Sequence, residues 1–124
     1  MLVDGRHYRS IWYDKDTRRP TIIDQTELPH RFVTRALSSA TAAAEAIKSM
    51  RVRGAPLIGA TAAHGLALAL RDDPSTTALE LAATQIAATR PTAINLRWGL
   101  DRIAKEARNC PEEDRAETAL RSAI

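Results

Sequence analysis

Arg53-Gly54-Ala55-Pro56 runs directly into an apolar stretch from Leu57 to Leu70, and these four residues have the chemistry of a helix entry that holds an anion. Proline suits the first turn of a helix, where its missing N–H is no loss and its φ is already helical. The N–H groups of Gly54, Ala55 and Leu57 are then left without helical partners at the positive end of the helix dipole, which attracts phosphate or carboxylate. Gly54 lets the main chain come close without a Cβ in the way, and Arg53 adds a forked, charged donor. Taken alone, the segment also fits an ordinary loop-to-helix junction with a solvated arginine. A second junction repeats the design. Thr89-Arg90-Pro91-Thr92 separates two helical patterns, with Thr92 as the N-cap of a helix beginning near Ala93. Two arginine-marked entries in one short chain are able to converge on one phosphate.

Other residues of chemical interest have plainer readings. His64 sits on the apolar run with no cysteine or carboxylate at metal spacing, so it reads as a core or helix-contact histidine and no metal site is expected. His30 reads as a solvated loop residue and His7 as part of a frayed terminus. Asp24 and Glu27 resemble a carboxylate pair, yet fit loop and strand-end positions better. Trp12 and Trp98 are expected to pack the sheet onto the helices, and Arg18-Arg19 to be a solvated loop pair. Cys110, the single cysteine, excludes an internal disulfide and reads as a cap or small apolar contact in a reducing compartment.

The elements that must position these residues follow from pattern and composition. The chain has 124 residues, one domain's worth, and is 44% hydrophobic but only 4% aromatic, so its core must rest on Ala, Leu and Ile in closely packed helices. A net charge of +3, with arginine far outnumbering lysine, fits an anionic small ligand as well as it fits nucleic acid. An RNA-binding module is disfavoured, because no aromatic platform or clustered basic stripe is present. No apolar leader opens the sequence, and the Leu57–Leu70 run is short for a bilayer span of ~20 residues, so a cytoplasmic protein without a membrane partner is expected.

Tyr8–Tyr13, Thr21–Gln25 and Arg31–Leu37 have strand chemistry and predict a three-stranded antiparallel meander, with Asp14–Pro20 as a hairpin loop. From Ser38 the period becomes helical. Ser38 or Ser39 caps a first helix with Ala43, Ile47 and Met50 on its inner face, and Leu57–Leu70 is the central helix. Ser75 caps a third with Leu79, Ala83 and Ile86 inward, and Ala93–Arg108 forms a fourth with Leu96, Leu100, Ile103 and Ala107 inward. Pro111-Glu112-Glu113 opens a fifth that has no C-cap signal before Ile124, which reads as a fragment. The predicted fold is therefore α+β: a small antiparallel sheet over about residues 8–37, then a bundle of four to five helices over about 39–124, in one domain spanning 1–124.

Arg9-Ser10-Ile11-Trp12-Tyr13, Ile23-Asp24-Gln25-Thr26-Glu27-Leu28-Pro29, Val52-Arg53-Gly54-Ala55-Pro56-Leu57-Ile58-Gly59 and Arg90-Pro91-Thr92-Ala93-Ile94-Asn95-Leu96 occur in this order. Together they resemble the N-terminal domain of the methylthioribose-1-phosphate isomerases, a family grouped with the ribose-1,5-bisphosphate isomerases and the initiation factor 2B regulatory subunits. That resemblance implies substrate contacts by Arg53, Gly54, Ala55 and Arg90. It further implies a small-molecule sugar phosphate as partner, no nucleic acid, a homodimer at full length, no metal or organic cofactor, and a place in methionine salvage. The implied reaction converts 5-methylthioribose 1-phosphate to 5-methylthioribulose 1-phosphate. Because C1 carries the phosphate ester, hydrogen transfer between C1 and C2 needs an acid/base group in a shielded site. The resemblance places the family's catalytic cysteine and aspartate in a Rossmann-like C-terminal domain beyond this chain, so no catalytic residue is assigned here. A regulatory or binding subunit and a ribose-1,5-bisphosphate isomerase are the alternatives.

Overall fold

The change of hydrophobic period near Ser38 is where the backbone turns from strand to helix. A computed structural model describes residues 2–3, 6–7, 10–52, 54–90 and 94–123, with the side chains of 2, 3, 6, 7, 55 and 95 not described. Its principal sheet is antiparallel, with β3 (Ile11–Asp14), β4 (Arg19–Ile23) and β5 (Thr34–Ala36) in that order, after a short hairpin of β1 (Leu2–Val3) and β2 (Arg6–His7). Tyr13 pairs with Pro20 and Thr21 with Ala36. The three-stranded meander agrees with the sequence reading, but the strands are shorter: Gln25 and Arg31–Val33 lie outside them. The β1–β2 hairpin was not anticipated, and it puts His7 in a strand rather than a frayed end.

Asp14 explains the β3–β4 hairpin. Its carboxylate accepts from the Asp16 and Thr17 amides, at 2.9 and 3.3 Å, so the side chain supplies turn bonds that the backbone lacks. The loop closes with Arg18 at φ 58, the left-handed conformation that ends many such hairpins.

Five helices follow among the described residues: α1 (Ala40–Lys48), α2 (Ala55–Asp72), α3 (Thr76–Ala88), α4 (Ile94–Arg108) and α5 (Glu112–Ala123). Ser39 and Ser75 are the N-caps of α1 and α3, their side chains accepting from Ala42 and Ala78 amides. Helix α2 is central. It is nearly continuous in burial from Thr61 to Leu68 and touches each of the other four helices. Leu96, Leu100, Ile103 and Ala107 are buried as the spacing of α4 demanded.

Three inward assignments need correction. Met50 lies beyond α1 and is exposed, because the helix stops at Lys48. On α3 the buried alanine is Ala82, with Ala83 only half-buried. Trp98 is 65% exposed and does not pack the sheet onto the helices. It stands two residues after Leu96 and two before Leu100, on the side of α4 opposite the Leu96–Leu100–Ile103 stripe, so it faces outward.

Of the described glycines, Gly65 is the one hemmed in by neighbouring helices. A Cβ there would stand 2.9 Å from the Ala43 Cβ of α1 and 3.0 Å from the Ile86 Cδ1 of α3. Since a methyl fixed to a packed helix cannot swing away, Gly65→Ala is expected to cost about 1–3 kcal/mol by overpacking. Denaturant unfolding checks this: the midpoint should fall at constant m-value, and an unchanged midpoint would show that the three helices yield freely.

Candidate anion-binding site at the entry to the central helix

The entry to α2 is prepared by how α1 ends. The Met50 amide donates to the Ile47 carbonyl and the Arg51 amide to the Ala46 carbonyl, at 3.2 and 3.0 Å. This pair of bonds, with Met50 left-handed at φ 63, is a Schellman stop in which methionine stands where glycine is usual. Val52 is then fully buried, anchoring the turn from below.

Asp24 holds the same turn from the sheet side. Its Oδ2 accepts from Arg35 Nε at 2.6 Å and faces Arg51 Nε at 3.7 Å, while its Oδ1 accepts from the amide and hydroxyl of Thr26. The Gln25 amide donates to the Arg51 carbonyl at 2.8 Å. Burial pushes the Asp24 carboxyl up, but hydrogen bonds from Thr26 and Arg35, with the Arg35 charge, outweigh it and hold the pKa below the usual 3.8. Asp24 is therefore a fully buried ionic anchor rather than a loop carboxylate. Glu27 keeps the plainer role, facing Arg31 one turn on.

Gly54 is the N-cap of α2, at φ 90 and ψ 136, and makes no side-chain cap bond. Its carbonyl accepts the Ile58 amide at 2.9 Å, so the helix ladder begins at Gly54 itself. Gly54 is exposed, and a Cβ built on it meets none of the described residues within 4 Å. The backbone thus presents an open face at the positive end of the longest helix, in a conformation that side-chain-bearing residues resist. Pro56 falls in the first turn, as expected. Ala55 begins the helix.

Arg90 follows α3, which packs on α2 across a short connection, with Ile86 of α3 beside Gly65 of α2. The Arg90 amide donates to the Ala87 carbonyl, and the residue is half-buried. Arg53, Pro91 and Thr92 lie outside the described residues.

His64 is 3% exposed and its ring lies parallel to Tyr13, centroids 6.4 Å apart. Cys110 is half-buried, its thiol turned to the Ala107 carbonyl at 3.3 Å. His30 is exposed. No cluster of three or more His, Cys, Asp or Glu side chains able to hold a metal occurs among the described residues. None of the described helices is long and apolar enough to cross a membrane.

Sequence reasoning also missed two features. Arg115 is buried on α5, donating to the carbonyls of Ala107 and Pro74 at 3.0 and 2.8 Å, so it ties three helix ends together. A cavity of about 400 Å³ lies beside the C-terminal half of α2, lined in part by Tyr13, Arg18, His64, Arg71, Glu113 and Glu117. Two cations and two carboxylates nearly cancel there, so its field gives an anion less reason to bind than the α2 entry does.

Residues 51–124 match the Initiation factor 2 subunit family. The methylthioribose-1-phosphate isomerase of Methylorubrum populi is 54% identical over 123 residues, covering 99% of this chain and 34% of that protein. The solved structure of translation initiation factor eIF-2B subunit delta from A. fulgidus superposes with a TM-score of 0.84 at 37% identity, over 94% of this chain and 36% of that one. The 5-methylthioribose 1-phosphate isomerase of Pyrococcus horikoshii gives 0.82 at 35% identity, over 93% and 34%. This chain spans about a third of the length of the relatives it matches, and it belongs to the Initiation factor 2 subunit family.

Proposed function

We infer that this chain is the phosphate-holding part of an aldose–ketose isomerase that converts 5-methylthioribose 1-phosphate to 5-methylthioribulose 1-phosphate. The observation that carries this reading is the open, uncapped entry to α2 at Gly54, with its positive φ and its free approach. Support comes from relatives of about half-identical sequence that bear the isomerase name. In this reading the Gly54 and Ala55 amides and the α2 dipole receive the phosphate, and Arg53 and Arg90 supply the opposing charge.

The reaction oxidises C2 and reduces C1 of the sugar while a hydrogen passes between them, so an acid/base group must stand within hydrogen-bond reach of both carbons. The family resemblance assigns that chemistry to a cysteine and an aspartate outside this sequence. The purified chain is accordingly expected to form no ketose from methylthioribose 1-phosphate. Turnover that vanished in Cys110→Ser would instead make Cys110 catalytic and overturn the assignment.

Gly54→Val tests the site itself. The φ of 90 makes any branched residue strained there, at a cost of ~1–3 kcal/mol in stability. The Cβ would also stand where the ligand must approach. In a protein of the relatives' length, substrate affinity by calorimetry should fall by more than the stability read in denaturant. Affinity that stayed level would mean the turn does not face the ligand.

A regulatory or binding subunit is the second reading, favoured by the close superposition on the eIF-2B subunit delta structure. Both readings use the same helix entry. They part on turnover by the longer protein, which only the isomerase reading requires. A ribose-1,5-bisphosphate isomerase differs only in the sugar that such an assay would accept.

A further inference from the structure

The cavity of about 400 Å³ beside the C-terminal half of α2 is separate from the α2 entry. On α2 its lining starts at His64, ten residues past Gly54, which is roughly 15 Å along a helix. Three parts of the fold build it. Tyr13 of β3 and Arg18 of the following loop come from the sheet, His64, Leu68 and Arg71 from one face of α2, and Glu113 from α5. The inner part is apolar: Ala67 and Leu68 are buried, and the Tyr13 ring lies parallel to that of His64. The rim is charged, with Arg18, Arg71 and Glu113 all exposed.

The rim carries charges of both signs that do not neutralise one another. Among the described residues neither Arg18, Arg71 nor Glu113 enters an ion pair, while Glu117 is already paired with Arg121 at 2.6 Å. The Arg71 guanidinium donates to the Arg18 carbonyl, which sets the two residues side by side and leaves both cations uncompensated. Two adjacent guanidinium groups suit one carboxylate, and Glu113 suits one ammonium. An apolar body between those heads suits the Leu68 floor and the aromatic wall. We propose that this cavity binds a free α-amino acid with a large apolar side chain. Its carboxylate meets Arg18 and Arg71, its ammonium meets Glu113, and its side chain lies over Leu68 against Tyr13. The volume falls in the range of small-molecule sites, about 300–1,000 Å³, and such sites pair an apolar lining with a few convergent polar groups. A simple anion gains less here because Glu113 repels it, and a simple cation because the arginines do. The inference goes beyond the phosphate reading and does not depend on it.

The test titrates three probes into the purified chain by calorimetry: L-phenylalanine, 3-phenylpropanoate, which lacks the ammonium, and 2-phenylethylamine, which lacks the carboxylate. L-Phenylalanine should bind. The amine should bind about tenfold more weakly, because it forfeits both guanidinium contacts. 3-Phenylpropanoate should bind several-fold more weakly, a smaller loss because Glu113 is a single exposed partner. Glu113→Gln should keep the melting temperature, since the side chain is exposed, and should erase the preference for L-phenylalanine over 3-phenylpropanoate. Amide shifts on adding L-phenylalanine, read by nuclear magnetic resonance, should centre on Leu68, Arg71 and Ala116, which line the cavity. Four results would each overturn the proposal: no binding of L-phenylalanine at millimolar concentration, equal binding of the three probes, an unchanged preference in Glu113→Gln, or shifts centred on Gly54.

Discussion

Replacing Asp24 by alanine is expected to lower the unfolding free energy by about 2–4 kcal/mol at neutral pH. The carboxylate is fully buried and accepts from Thr26 and Arg35 while facing Arg51. Its removal leaves the Thr26 amide and the Arg51 head without their partner under the sheet. Arg35 is partly exposed and regains water, which keeps the loss short of a fully interior ion pair. The pH dependence distinguishes charge from packing. Because the native pKa lies below the usual 3.8, the charge contributes stability that is fully present above that value. It is lost as pH falls through the lowered native value. The gap between wild type and Asp24→Asn should accordingly be widest at neutral pH and close as the solution is acidified well below 3.8. A gap that stayed constant down to strong acid would mean the carboxylate contributes shape rather than charge. Since Asp24 also faces Arg51, two residues before Arg53, the same variants should loosen the α2 entry and weaken phosphate binding in the longer protein.

Arg53→Ala and Arg90→Ala, each in a protein of the relatives' length, are expected to weaken substrate binding by ~1.5–3 kcal/mol, a loss of roughly ten- to more than a hundredfold. Charge-assisted bonds to a phosphate are the stronger class, and guanidinium groups bind phosphate through two parallel donors. The loss should be confined to the phosphate. Binding of the phosphorylated sugar is compared with that of its unphosphorylated form, and the variants should differ from wild type only for the former. An equal loss for both ligands would remove the phosphate role. Lysine at either position should recover part of the affinity, because the charge returns without the fork.

How legible the protein was varies by element. Sequence by itself determined the helices of the bundle, because each carries its own period and its own stop or start: Ser38 or Ser39 and Ser75 as caps, of which the structure uses Ser39 and Ser75, Pro56 in a first turn, the Leu96–Leu100–Ile103–Ala107 stripe. These are local signals, decided within a few residues of the backbone they direct. It likewise singled out Gly54 as the turn residue at the entry to the apolar run, and the backbone there stands at φ 90. The tertiary structure alone decided the role of Asp24, which is a surface carboxylate in any local reading. It becomes a buried anchor because β5 brings Arg35 beside it and the end of α1 brings Arg51. The same holds for Gly65, unremarkable on its own helix until Ala43 and Ile86 close on it. Trp98 was misjudged for the converse reason. Its size argued for the core, but its position on α4 faces away from the packed stripe, and a helix obeys its period before it obeys the hydrophobicity of any one residue. Long-range partners are set by how elements meet in space, and no local pattern of residue types records that meeting.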